Sequence, residues 1–524
     1  MYKKFSNALF ILFSIMVSLT ELMGQSASFS NVFKAKLRDS GAIMDGQKVN
    51  GYYFFYRMDK ADKTHDNYVL EILDQDLNTV KTNNIREVKN IVLLEASYNG
   101  QFLCFKFLDA KNKKYIFSKY DNAGNYVSKH SIAYNKATMD ILSIQQTKNE
   151  QLQPAALFPV KNVGFVNFGT DKFTKDDGYY IKMINNNPEG KNWMITSNKE
   201  SKDVESAVFL YANEDILLIN HFWRKSKMSK DMRFAVKAFD IKTGKKRYEL
   251  KIDDGKYQGE PMNAMKDELT GNIILTGVYY NSGEKTAKQS GEGVFSWAID
   301  SLGKLVESKY LSYDLDIAKK LPATVTEKKF GFFRFHNFVR TTDNKIYGIA
   351  EEYAKVVDGA SVALNALVLA SGGSSDVSVF KMVVRDLYIA EFDPSMDLQK
   401  LHHFPKGKNS IALPGGAALA SPGLLEIFID MAEGWDYSFT QSLDGDDNFM
   451  VGYTDYVKGE GEKKRNLKFN AIALVDGKFN KDVVTFDSES TSSRWLPAKP
   501  GYVLMLEYFK KKKEIKLHLE KLNY

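Results

Sequence analysis

The sequence predicts an all-β fold closed into a ring of four-stranded antiparallel units, eight in number, or seven if one strand pair decorates a neighbour. Three observations predict it. A hairpin recurs along most of the chain, each copy joins an apolar strand to a more polar one, and the last copy lacks a strand that a segment near the N-terminus supplies. Self-similarity of this kind marks a repeat architecture and has to be recognised before any local element is assigned.

The chain opens on a processing segment. Lys3 and Lys4 precede a short apolar run from Ala8 to Leu19, and Gly24 offers a small residue at a cleavage point. That pattern is a secretory leader over residues 1–24, with the mature chain starting near Gln25. The apolar run is well short of the ~20 residues a spanning helix needs, and nothing later reaches that length. No Cys follows the run, so a lipid anchor has no acceptor. The expected product is exported, periplasmic or extracellular, and not a lipoprotein.

From residue 25 to residue 524 the hairpin unit dominates, which predicts one repeat domain. Its clearest copies are Ile72 to Asn78, Lys119 to Asn125, Ala238 to Gly244 and Ala298 to Lys304, built around Asp74, Asp121, Asp240 and Asp300. Weaker copies sit at Asn185, Asp393 and Asp476. In each, the carboxylate or amide can accept turn N–H groups while a following Gly or Asn tolerates positive φ, so these acids are expected to form turns and not to catalyse. A further turn is expected at Asp444, where the ligand spacing of a calcium loop is missing.

One strand of each unit is apolar on both faces: Gly51 to Tyr56, Gln101 to Phe105, Asp215 to Asn220, Asn272 to Gly277, Asn344 to Ala350, Asn448 to Tyr453 and Gly501 to Leu506. Continuous apolar runs belong to strands covered on both sides. The strands that end in the Asp, such as Tyr115 to Asp121 and Arg233 to Asp240, alternate more and are expected at an outer, partly wetted position. A degenerate copy from Val163 to Ile195 completes a count of eight, and the segment starting at Phe29 is expected to close the final unit at Tyr502 to Leu522. Lys510 to Lys513 then reads as a solvated hairpin tip.

This grammar resembles β-propeller proteins of exported bacterial type, over the chain from about Phe29 onward. The resemblance implies stacked four-stranded blades around a channel, with strand closure removing exposed edges. It carries no WD, Kelch or Asp-box signature, so no family's functional residues transfer to this chain.

Two stretches break the grammar, 354–380 and 407–436, both rich in small apolar residues. A helix ended by Gly372 and Gly373 is expected in the first. Another is expected from Leu424 to Ala432 in the second, after Pro422. Because they fall in neighbouring units, the inserts are expected to lie side by side, as a cap, a docking patch or a mutual packing contact.

Chemistry is sparse. The single Cys104 lies in an apolar strand and is expected to behave as a small hydrophobe. His402 and His403 are adjacent, so they point to opposite strand faces and are not expected to share a metal. His221, Trp223 and Arg224 are expected on a blade-end loop, covering a strand end. Glu351 and Glu352 are the nearest approach to a carboxylate pair; they should diverge and stay solvated. No catalytic, cofactor-binding or metal-ligating residue is assigned, no cofactor is expected, and no individual ligand-binding residue is assigned.

Charge adds one exclusion. Lys and Arg total 72 against 65 acids, and the excess is interleaved with acids except at the Lys510 tip. A nucleic-acid site needs a basic stripe or a motif, so no such partner is expected. The leading expectation is a non-enzymatic exported propeller that binds a protein or glycan partner in the bacterial envelope. The alternatives are a carbohydrate- or lactone-active hydrolase or lyase with its site at the channel mouth, and a structural envelope scaffold.

Overall fold

The computed structural model of the chain describes residues 25–524 apart from 46–47, 61, 90, 134–155, 172–177, 188–189, 191, 199, 227–228, 230, 287–290, 323–324, 326–330, 359–376, 415–419, 444–446, 459–464 and 487. Eight separate antiparallel sheets follow one another along the chain. They occupy residues 34–88, 91–133, 157–196, 204–251, 257–312, 332–414 and 437–486, and the eighth joins 492–521 to 26–29. The chain is therefore an eight-bladed β-propeller. The degenerate stretch around Val163 is a full blade, which removes the seven-blade alternative.

Packing explains why the second strand of each blade is apolar on both faces. Successive side chains alternate between faces, so each such strand feeds two interfaces. In the second blade Phe105 and Phe107 pack toward the first, with Phe105 4.5 Å from the Phe55 ring. Cys104 and Leu108 pack the other way, onto Phe165 of the third. Each pair of neighbouring blades has its own buried cluster, and the last joins Leu504 and Leu506 of the eighth blade to Phe54 of the first. The core is a ring of eight interfaces with no single centre. The third strands are wetter in expectation than in fact: Ser118 and Lys119 are buried, and the polar alternation belongs to fourth strands such as Tyr126–Ala133.

The turn acids do local work. Asp74 Oδ1 accepts from the N–H of Asp76 and Asn78, Asp300 Oδ1 from Leu302 and Lys304, and Asp393 Oδ1 from Ser395 and Asp397. Asp476 departs from this scheme. It and Gly477 both take positive φ, 49° and 74°, so that hairpin turns through its backbone conformation. The turn expected at Asp444 lies outside the described residues, while Asp447 beside it accepts from the Thr342 hydroxyl of the sixth blade.

Ring closure is real but begins earlier than expected. Ser26–Phe29 pairs with the last strand in the register Ser26↔His518 to Phe29↔Ile515. Of the expected segment only Phe29 lies in that paired strand, although the Val32 N–H also donates to the Lys513 oxygen at 2.8 Å. After it the chain crosses to the first blade, where Lys34–Ala35 and Gly41–Asp45 both run along the strand Lys48–Lys60. The Phe29 ring stays at the seam, 5.5 Å from Phe54 and 5.7 Å from Tyr56.

Because consecutive strands are antiparallel, connections alternate between the two ends of the ring. The short turns after first and third strands mark one end. The connections after second and fourth strands emerge at the other, and these include those that leave Ser312, Val357 and Phe404. Both inserts therefore rise from the same end, and both from the sixth blade, not from neighbouring units. Their roots are joined: Asn409–Pro414 pairs with the extended third strand Val377–Phe392, with Met382 opposite Ile411. The helix expected before Gly372 lies outside the described residues. The second helix is present as Pro422–Met431, with Pro422 in its first turn.

Candidate functional site

The helix Pro422–Met431 lies across the mouth of the channel. At about 1.5 Å per residue its ten residues span about 15 Å. Its start is fixed to the fifth blade: Ser421 Oγ donates to Glu260 Oε1 at 2.6 Å and the Gly423 N–H at 3.1 Å. Tyr280 donates to the other Glu260 oxygen at 2.9 Å, and Tyr353 donates to the Pro422 carbonyl at 3.0 Å. Gly423 is required there, because a Cβ would meet Glu260 Oε1 at 2.5 Å. Its end reaches the first blade, where Arg38 contacts Glu433 at 3.4 Å. Leu425 and Ile429 anchor one face in the core between the fifth and sixth blades.

A cavity of about 540 Å³ opens on one side of this helix, walled by the inner strands of blades three to six. Phe158, Phe168, Phe209, Phe222, Met262 and Ile427 supply an apolar wall, with Phe158 and Phe209 stacked at 4.4 Å. Polar groups face it from the helix and the sixth blade: Glu426, Asp430, Arg334 and His336. Glu426 and Arg334 form a close ion pair. Among the described residues, Glu426 Oε1, Arg334 Nε and Asn220 Oδ1 are buried without a hydrogen-bond partner. Burial pushes Glu260 up to about 7, against the donors that surround it, and pushes Glu426 up to about 8 despite Arg334.

Behind His336 lies a buried charged network. Its Nε2 is 3.0 Å from Glu351 Oε2, and its ring stacks on Tyr437 at 4.4 Å. Glu351 also accepts from the Tyr437 N–H at 3.1 Å and faces Lys406 Nζ at 3.0 Å. Burial alone would raise Glu351, but Lys406 and His336 hold its carboxyl down at about 2. Burial lowers His336, and its hydrogen bond to Glu351 opposes that shift.

Glu351 and Glu352 diverge as expected, but neither is solvated. Their side chains are 0% and 3% exposed, and Glu352 accepts from Arg385 at 2.7 Å and from the Gly331 N–H at 2.8 Å. A doubly covered strand offers no water to either, so each carries its own cation. His402 and His403 point apart, to Glu391 and Asp386. His221, Trp223 and Arg224 lie within the strand Ile216–Arg224, not on a loop, and His221 is buried against Glu205. Cys104 is fully buried in its apolar cluster. Among the described residues no group of three or more His, Cys, Asp or Glu is arranged to hold a metal, and no helix is long and apolar enough to cross a membrane.

Sequence reasoning did not single out Glu260, Arg334, His336, Glu426, Lys406 or Asp436. Two signals were present. Arg334 and His336 alternate with Phe333 and Phe335 on an inner strand, and Glu426 and Asp430 fall four residues apart on one helical face. Glu260 and Lys406 carry no such signal, because their partners lie twenty or more residues away.

On the opposite flank of the helix a second cavity of about 440 Å³ is bounded by the seventh and eighth blades and the short 3-10 turn Leu37–Asp39. Asp430 lines both cavities.

The chain belongs to a family of unknown function, DUF6770, whose match covers residues 1–523. No curated protein matches it. Among solved structures it is similar to prolyl oligopeptidase B from Galerina marginata, at 8% identity and a TM-score of 0.38, over 91% of this chain and 57% of that one. It is also similar to the β-propeller domain of the trilobed protease from Pyrococcus furiosus, at 11% identity and a TM-score of 0.36, over 87% and 97% of the two chains. A post-proline cleaving enzyme from Rickettsia typhi gives 10% identity and a TM-score of 0.36, over 91% of this chain and 58% of that chain. The chain thus spans just over half the length of the two whole enzymes, and these likenesses carry no functional argument.

Proposed function

We propose that this chain is an exported, non-enzymatic binding protein of the bacterial envelope, whose protein or glycan partner lodges an apolar group in the larger channel cavity. One observation carries the reading: an aromatic wall faces a few buried polar groups with unused hydrogen-bonding capacity, the composition of a ligand pocket. Glu260 argues against a pair of free catalytic carboxylates, because both its oxygens are spent on holding the helix. Export rests on the leader over residues 1–24, and N-terminal sequencing of the product tests it: a chain starting at Met1 refutes export.

A photo-crosslinking residue at Phe209 tests the binding reading in intact envelopes, with one at Leu302, 80% exposed on an Asp turn, as control. A specific protein or glycan adduct at position 209 alone supports it. Equal adducts at both positions, or none at 209 in a folded protein, overturn it.

A second reading follows from His336 and Glu426 on one wall, with Glu351 orienting His336. Such a set suits acid–base work on a carbohydrate or lactone. Turnover of a chromogenic glycoside or lactone, abolished in Glu426→Gln, would favour this reading over simple binding.

A further inference from the structure

We propose that the lysine tip of the eighth blade docks the propeller onto a membrane surface rich in anionic phospholipid, with the channel mouth turned toward the bilayer. This goes beyond the reading above, which concerns what enters the channel cavity, and either can fail without the other.

The turn Lys510 to Lys513 follows the second strand of its blade, Tyr502–Phe509, so it stands at the same end of the ring as the channel helix. All four lysines are exposed, and among the described residues none of them forms an ion pair. The acids around them are matched elsewhere. Glu514 faces Lys516 at 3.9 Å, Asp66 faces Arg57 at 3.1 Å, and Glu507 takes the Ser488 hydroxyl and His518. Glu489 is exposed nearby in sequence and pairs with none of the four. The next two blades around the seam add to the charge. Lys63 of the first and Lys111 and Lys113 of the second also follow second strands, and they too are exposed without an ion pair. The acids of those turns are matched, Asp62 by Arg86 and Asp109 by Lys114. One sector of one end therefore carries a surplus of free ammonium groups.

Turn geometry does not ask for these lysines. Lys513 and Lys113 take φ of 53° and 52°, a conformation that suits Gly or Asn better. An exposed aromatic ring joins the tip. Phe33, 38% exposed, lies 5.5 Å from Lys513 Nζ and 4.6 Å from the Arg57 guanidinium. Its backbone is pinned, because its N–H donates to the Arg57 oxygen at 2.9 Å and its carbonyl accepts from Tyr508 at 3.1 Å. Phe509 repeats the arrangement with Lys512 at 5.1 Å and Lys516 at 5.4 Å. Rings set among ammonium groups settle at the headgroup level, where the ring meets the acyl boundary and the cations meet phosphates. The tip lines neither channel cavity. A protruding turn of exposed charge suits an extended anionic surface better than a single bound chain, which favours a bilayer over an acidic saccharide.

Flotation of the full chain with vesicles of phosphatidylcholine, alone or with about 30% phosphatidylglycerol, tests the assignment. Phosphatidylglycerol should raise the bound fraction, and about 0.5 M salt should remove that gain. The combined variant Lys510→Gln, Lys511→Gln, Lys512→Gln and Lys513→Gln should weaken the binding gained from phosphatidylglycerol at least tenfold. Phe33→Ser should weaken it as well while leaving its salt dependence in place. Lys242→Gln with Lys245→Gln, on the Asp240 turn at the opposite end, should leave it unchanged. The same chain is offered soluble alginate as an acidic saccharide. No gain from phosphatidylglycerol, the full gain retained in the folded tip variant, an equal loss in the opposite-end variant, or tighter binding to alginate than to the anionic vesicles would each overturn the proposal.

Discussion

Lys406 Nζ lies 3.0 Å from Glu351 Oε1, and both side chains are completely shielded from solvent. Lys406 also contacts Asp436, so one ammonium clasps both ends of the insert 407–436 against the sixth blade. One ammonium thus faces two carboxyls at the base of the channel helix, and burial pushes Asp436 up to about 7.

Removing that ammonium should be costly, because a buried pair broken on one side leaves an uncompensated charge. Lys406→Met is expected to destabilise the protein by about 3–5 kcal/mol, read from the shift in urea midpoint. The double variant with Glu351→Gln should recover part of the loss. A shift below about 1 kcal/mol in the single variant would show that the network is not electrostatically coupled.

The helix anchor at Glu260 should respond to pH. Burial raises its carboxyl from 4.5 to about 7, so the folded protein holds that proton more tightly than the unfolded chain. The resulting stabilisation is complete below pH 4.5 and is lost as pH rises to about 7. It amounts to about 3 kcal/mol at most. Melting temperature should therefore fall between pH 5 and 7.5 with a slope that flattens in Glu260→Gln. Identical slopes in the two proteins would remove Glu260 as the source.

Cys104 should be chemically silent. It is fully buried, and burial pushes its thiol up to about 12. Iodoacetamide at pH 8 should leave the native protein unlabelled and modify one site per chain in denaturant. Labelling of the folded protein at the rate of a free thiol would contradict the packing between the second and third blades.

Deleting Ser26–Phe29 should open the seam. The strand Glu514–Lys521 would then present an unpaired edge, which promotes association between chains. A lowered melting temperature with dimers or larger species on size exclusion is expected. A monomer of wild-type stability would show that the eight interfaces alone hold the ring.

The repeat was legible because every blade repeats the same demand: Leu103 to Leu108 must feed two interfaces, and Asp121 must make a turn. The channel helix was legible from Pro422, which favours a helix start. What escaped was pairing at a distance. Glu351 sits beside Glu352 in a strand that gives no hint of burial for its acids, and its cation arrives from residue 406. Closure was readable in kind but not in register, since the Phe29 segment has no period strong enough to place its pairing.

The pairing of Phe29 with Ile515 has a consequence for the order of synthesis. The strand Ser26–Phe29 is made before the blades that follow it, yet it has no partner until Glu514–Lys521 has been made. A nascent chain can stack blades one to seven as they emerge, yet it stays a curved, open stack until Glu514–Lys521 has emerged. Premature termination anywhere before residue 514 would yield a product that cannot circularise, however well its blades have formed.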